Sequence, residues 1–184
     1  MSAPLKPDVA AAEAFLKILD PNGVFTFQTF DDDKDRKDLS LARVFHGTLT
    51  QHRAALTDLQ QKGAGVFIMV NRGDGIVHPG KKTCRNEVSV VAVRALFADL
   101  DGAPLAPVLA ALQPDIVVES SAERWHAYWL TSDCVLADFR KRQQQIAARF
   151  GGDRSVVDLP RVMRLPGFFH QKAEPFMTRM TFPE

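Results

Sequence analysis

The chain has 184 residues, 46 % of them hydrophobic and 24 % charged, with a formal net charge of +1. That is enough chain for one globular domain with a real core. The near-neutral balance argues against binding nucleic acid by bulk charge, so any such site is a local patch. No run reaches the ~18 apolar residues of a membrane span, and "MSAPLKPDVA" lacks the pattern of a signal peptide. The cysteines Cys84 and Cys134 lie far apart with no CxxC or His cluster, which argues against a zinc or disulfide framework and fits a reducing cytosol.

Residues 8–19 ("DVAAAEAFLKIL") read as an amphipathic helix closed by Asp-Pro-Asn-Gly. "VFTFQTF" (24–30) reads as a strand, and the charge run "DDDKDRKD" (31–38) as a solvated loop. Residues 49–63 form a helix stopped by Gly63, and "GVFIMVN" (65–71) a strand. Residues 72–87 ("RGDGIVHPGKKTCRNE") make a long polar loop, of a length that is usually functional or disordered. Residues 88–98 are expected to be a central strand and 105–113 a short helix. "DIVVESS" (115–121) and "RWHAYWLT" (124–131) lie too close for a crossover and form a hairpin. Residues 138–152 are a helix with a glycine stop, and 156–172 a strand or two flanking a loop. The chain ends in "MTRMTFPE" without a cap or tail, and it is expected to be the front part of a longer protein. This order predicts an α/β or α+β domain spanning 1–184, with a mostly antiparallel sheet covered by helices.

Three stretches carry chemistry. In "RALFADLDG" the apolar run ends in Asp99 and Asp101, two apart on an extended chain and so on one face. Paired carboxylates repel unless a cation sits between them, and Mg²⁺ or Mn²⁺ prefers such oxygens. A plain turn is the competing reading of "DLDG" alone. In "RWHAYWL", His126, Tyr128 and Leu130 share one face and Trp125, Ala127 and Trp129 the other; the Trp face is expected to be core. His126 then faces a polar corner made by Ser120, Ser121, Glu123 and Arg124, as either a structural or a functional histidine. The segment "GGDRSVVDLPRVMRLPGFFHQK" offers Asp153, Asp158, Arg161, Arg164 and Lys172. Arginine among apolar residues is either paired with an acid, here Asp153 or Asp158, or holds an anion such as phosphate. Together these are the parts of a metal-dependent phosphoryl- or nucleotidyl-transfer site.

The pattern resembles the archaeo-eukaryotic primase superfamily, in its plasmid- and phage-borne RepB-type branch. The likeness covers about residues 64–175, on "FADLDG", "ESSAERWHAYW" and the "RxxRLPG…K" ending. It departs in two respects: Ser121 and His126 stand five apart where the family's motif has two, and the third acid can be either Asp153 or Asp158. The resemblance implies an RRM-like α+β sheet with an N-terminal αβ element. It implies template-directed primer synthesis from nucleoside triphosphates on single-stranded DNA, with Mg²⁺ or Mn²⁺, often beside a replicative helicase. On it, Asp99, Asp101 and Asp153 are the expected metal ligands, with Asp158 as second choice for the third acid. His126 joins them as a catalytic residue, and Ser121, Arg124, His126, Arg161, Arg164 and Lys172 are expected to bind nucleotide. The template is expected on Arg72, Lys81, Lys82 and Arg85, the densest local source of cations. The alternative is a non-catalytic RRM-like module that binds single strands, which would need exposed aromatics. A rolling-circle nuclease ranks low, because no HxH exists and Tyr128 is the one tyrosine.

Overall fold

The computed structural model describes residues 4–181; the last residues of "MTRMTFPE", 182–184, lie outside it. In chain order the elements are α1 (Val9–Leu19), β1 (Phe25–Asp31), β2 (Arg43–Gly47), α2 (Leu49–Gln61), β3 (Ala64–Met69), β4 (Arg72–Gly73), β5 (Val90–Ala92) and β6 (Ala95–Leu100). They continue with α3 (Ala106–Ala111), β7 (Ile116–Ser121), β8 (Arg124–Leu130), α4 (Leu136–Phe150), β9 (Val162–Arg164), β10 (Phe169–His170), β11 (Phe176–Met177) and β12 (Arg179–Thr181). The helices start where the chain supplies a cap. Asp8 accepts the Ala11 N–H, and Thr48 and Gln51 form a reciprocal capping box. Gly63 and Gly151, both left-handed, end α2 and α4.

The fold is α+β and antiparallel as expected, but among the described residues the strands make two four-stranded sheets, β2-β1-β3-β9 and β12-β7-β8-β6, and two two-stranded ones, β4-β5 and β10-β11. One core joins the four-stranded pair. Phe27, Val66, Ile68 and Met163 of the first sheet pack with Phe97, Ile116, Val118 and Tyr128 of the second, and with Phe15 of α1 and Phe139 of α4. The other face of the second sheet has its own core, in which Ala98, Leu100, Ala127 and Trp129 meet Val108 and Phe150. The Trp face is therefore core, with Trp129 stacked on Phe150 at 5.5 Å. Tyr128, on the opposite face, is fully buried as well.

Residues 88–98 are not one central strand. The run breaks at Val93–Arg94, because Arg94 turns inward to pair with Asp20 (2.9 Å) and donate to the Val24 carbonyl (2.7 Å). The segment that continues, β6, is an edge strand. Its edge is covered: the Gln143 side-chain amide of α4 pairs with both the N–H and the C=O of Phe97, and the Asp153 N–H donates to the Asp99 carbonyl at 2.9 Å. Strand β2 has no expected counterpart, and the closing strands β11 and β12 likewise go unforeseen.

The charge run 31–38 is not uniformly solvated. Asp32 is 2 % exposed. It accepts a bidentate pair from Arg164 (2.8 and 3.0 Å) and the Gln171 N–H (2.8 Å). Gln60 adds a second tether by accepting the Phe169 N–H at 2.8 Å. Gly167 has φ +85°, and a Cβ there would collide with the Asp8 carbonyl, so the chain passes against α1 only as glycine. These anchors fix the segment 164–172 across the first sheet.

Candidate active site

Asp99, the last residue but one of β6, stands opposite His126 of β8 in the sheet register. His126 stands opposite Val118 of β7, and Arg124 opposite Ser121. The turn between those strands needs a left-handed residue, which Glu123 supplies at φ 59°. From the other sheet come Phe67, which pairs with Arg164 in the register. The two sheets meet around a cavity of about 180 Å³ whose polar wall includes Asp99, Asp101, Ser121, Arg124, His126 and Lys172. A wider cavity of about 660 Å³ adjoins it, sharing Asp101, Ser121, Arg124, His170 and Lys172.

The two carboxylates sit in different environments. Burial, and next the charge of Asp153, push the Asp99 carboxyl above the usual range, while Arg161, Arg124 and Lys172 offset part of this. Asp101 is mostly exposed and ion-paired with Arg124. His126 is buried, 3.7 Å from Asp99 through Nε2 and 3.5 Å from the Tyr128 hydroxyl through Nδ1. Burial, then the Arg164 charge, lowers its pKa to about 3. The ring is therefore neutral at physiological pH. Because the unfolded chain takes up this proton first, near the usual ~6.5, the fold loses stability as pH falls from there towards 3. A histidine NMR titration is expected to show His126 unprotonated at pH 5; a midpoint near 6.5 would contradict the burial.

Asp153 is exposed at the end of the α4 connection. Its carboxylate accepts the N–H and hydroxyl of Ser155 (2.8 and 2.9 Å), while its backbone N–H holds Asp99. Asp158 pairs with Arg161 at 2.5 Å, and Arg161 also donates to the Ser155 carbonyl. Arg161 thus acts on Asp99 through charge from outside the cavity wall. Arg164 lines the cavity but is clamped by Asp32 and lies over the Phe67 ring at 4.7 Å. Among the described residues no three His, Cys, Asp or Glu side chains group closely enough to hold a metal ion.

The four cations expected to hold a template separate. Arg72 pairs with Asp20 at 2.7 Å. Arg85 is half-buried, donates to Gln28 (2.7 Å) and the Pro160 carbonyl (3.3 Å), and lies over Phe30. Lys81 and Lys82 are exposed. Cavity residues that the chain order did not single out are Phe67, Val162, Met163 and His170. His170 alone carried a signal, as the titratable residue of the "RLPGFFHQK" stretch, two before Lys172.

A family model described as the RepB DNA-primase N-terminal domain matches residues 89–180. Among solved structures, the AEP domain of the primase-polymerase of cyanophage S-2L is similar over 97 % of this chain and 91 % of its own, with TM-score 0.75 and 20 % identity. Primase RepB′ matches 95 % of this chain, which spans 56 % of that one, at TM-score 0.68 and 17 % identity. The catalytic domain of RepB′ in complex with initiator DNA matches 92 % and 83 % at TM-score 0.59 and 16 % identity. At such identities the likeness is one of fold. None of the curated proteins matches the chain.

Proposed function

Because the chain belongs to the RepB DNA-primase N-terminal domain family, we propose that it is a DNA-templated primase or primase-polymerase of plasmid or phage replication. In this reading it extends primers from nucleoside triphosphates on single-stranded DNA. The observation that carries the chemistry is the convergence of Asp99, Asp101, His126 and Arg124 from the second sheet, and Lys172 from the loop after β10, on one cavity.

Asp99 and Asp101 suit a hard divalent cation in kind. A cation beside Asp99 would offset its raised carboxyl, and on Asp101 the Arg124 guanidinium already stands where positive charge is wanted. Asp153 would complete the donor set by exchanging Ser155 for the ion. When bound, Mg²⁺ or Mn²⁺ ions would activate the attacking 3′-hydroxyl and neutralise the phosphates. The Arg124–Asp101 pair is exposed and therefore cheap to break. Arg124 is thus free to turn to a phosphate once Asp101 is engaged, beside Lys172. Neutral His126 lines the cavity and can donate one hydrogen bond there without adding charge.

The direct test is primer synthesis on single-stranded DNA with labelled triphosphates and Mg²⁺ or Mn²⁺. Product that depends on Asp101 supports the reading; DNA binding without synthesis would favour the non-catalytic module. For the template, Lys81 and Lys82 are the cations of the long loop whose side chains make no hydrogen bond or ion pair among the described residues. Changing both to Ala is expected to make the log–log salt slope of DNA binding shallower by ~1.4, about 0.7 per lost phosphate contact. Arg85 is left out of that variant, because its removal also strips Gln28 and Pro160 of their donor.

A further inference from the structure

His170 lines both cavities at their shared rim. Its Nδ1 lies 3.0 Å from the Ser120 carbonyl oxygen. A carbonyl only accepts, so Nδ1 carries the proton and donates. Burial, then the Arg164 charge, keeps the ring below the usual histidine range and hence neutral. Nε2 is therefore a bare acceptor. It is buried, and among the described residues it has no hydrogen-bond partner. An acceptor buried without a partner costs stability, and a donor brought by a ligand would satisfy it.

We propose that His170 Nε2 accepts a hydrogen bond from a sugar hydroxyl of the incoming nucleotide, which makes His170 a specificity-determining residue. This rests on the reading that the site binds nucleoside triphosphates. A phosphate offers that lone pair only oxygens, so the anion is excluded. Arg164 and Lys172 act on the ring as positive charges and Asp32 as a negative one, so a further cation gains little there. A base amino group differs from base to base, whereas a templated site has to take all of them. The sugar hydroxyl is the donor that the substrates share. Position agrees: the polar 180 Å³ cavity suits phosphates, and the 660 Å³ cavity, walled in part by Ala122, Pro175 and Phe176, has room for a base. The sugar joins the two, and His170 stands where they join. Residues 172–175, which also line the wider cavity, are exposed.

The test is binding of ribo-, 2′-deoxyribo- and 2′,3′-dideoxyribonucleoside triphosphates, by a fluorescence competition assay in Mg²⁺ buffer. The proteins are wild type, His170→Ala and His170→Gln. Wild type is expected to bind the hydroxyl-bearing member of one pair roughly three- to tenfold more tightly. His170→Ala should bring that ratio to one, and His170→Gln, whose carbonyl accepts, should recover part of it. A ratio lost between ribo and deoxy assigns the 2′-hydroxyl; one lost between deoxy and dideoxy assigns the 3′-hydroxyl. Equal ratios in wild type and a variant that melts like it would overturn the inference and leave the primase reading standing. Should His170→Ala not fold, equal ratios in wild type and a folded His170→Arg, which has no acceptor, decide the same way. A wild type that binds no triphosphate overturns both.

Discussion

Substituting Asp101 or Asp99 by alanine is expected to lower nucleotide incorporation by roughly a thousandfold or more while leaving the protein folded. The magnitude follows from losing the several kcal/mol by which a held metal stabilises charge in the transition state, at ~1.4 kcal/mol per decade of rate. The folding half of the expectation comes from the environment of each acid. The Asp99 carboxyl is raised in the fold. The unfolded chain therefore ionises first as pH rises, and the fold loses stability between the unfolded and folded values. At neutral pH that loss is already present, so removing the acid should leave the melting temperature unchanged or raise it. Asp101 contributes only an exposed pair with Arg124, worth at most about 1 kcal/mol. A second signature separates metal binding from structure. Mg²⁺ or Mn²⁺ should raise the melting temperature of wild type by mass action and leave Asp99→Ala unmoved. Full incorporation by either variant would end the catalytic reading.

The largest stability effect is expected at Asp32. Its carboxylate, with Arg164, makes an ion pair whose side chains are 1 % and 7 % exposed. Removing one partner leaves the other charge buried and uncompensated, at a cost of about 3–5 kcal/mol. For a chain of this length that lowers the melting temperature by on the order of 10 °C. Asp32→Ala also deletes the acceptor for the Gln171 N–H, so the segment bearing His170 and Lys172 loses its mooring. Nucleotide affinity should fall in this variant even at temperatures where it stays folded. The double change Asp32→Leu with Arg164→Met should recover much of the stability, since an apolar pair of similar volume avoids the desolvation cost. A melting temperature within 2 °C of wild type for Asp32→Ala would show that the pair is not the anchor described above.

Asp32 also shows why a charge run misleads. "DDDKDRKD" has the composition of a solvated loop, and Asp33 and Asp35 are indeed exposed. Asp32 differs from them only through Arg164, 132 positions away in the chain, and no local pattern carries that distance. Arg164 was legible as a buried arginine needing either an acid or an anion; the expected acids were Asp153 and Asp158, and the acid in the structure is Asp32. The alternation in "RWHAYWL" placed His126 and Tyr128 on one face, which the register bears out. That both faces of this hairpin are buried follows from the second sheet being covered on each side, by the first sheet's core and by α3 and α4. The break at Val93–Arg94 depends in the same way on a distant acid, Asp20.

What the sequence determined by itself are the properties with short physical range. Period-two and helical patterns, capping residues and glycine stops set most of the elements. The two-residue spacing pointed to Asp99 and Asp101 sharing one side, and both line one cavity although β6 stops at Leu100; the acids, histidine and basic ending carried the resemblance to primases. Only the tertiary structure decided how many sheets those strands make, that β6 lies at an edge, which acid holds Arg164, and that Arg72 and Arg85 part to different partners. Each of those outcomes compares long-range pairings of similar local appearance. The choice is made by burial: a charge taken out of water has to find its partner wherever the fold brings one, and sequence distance does not enter that balance.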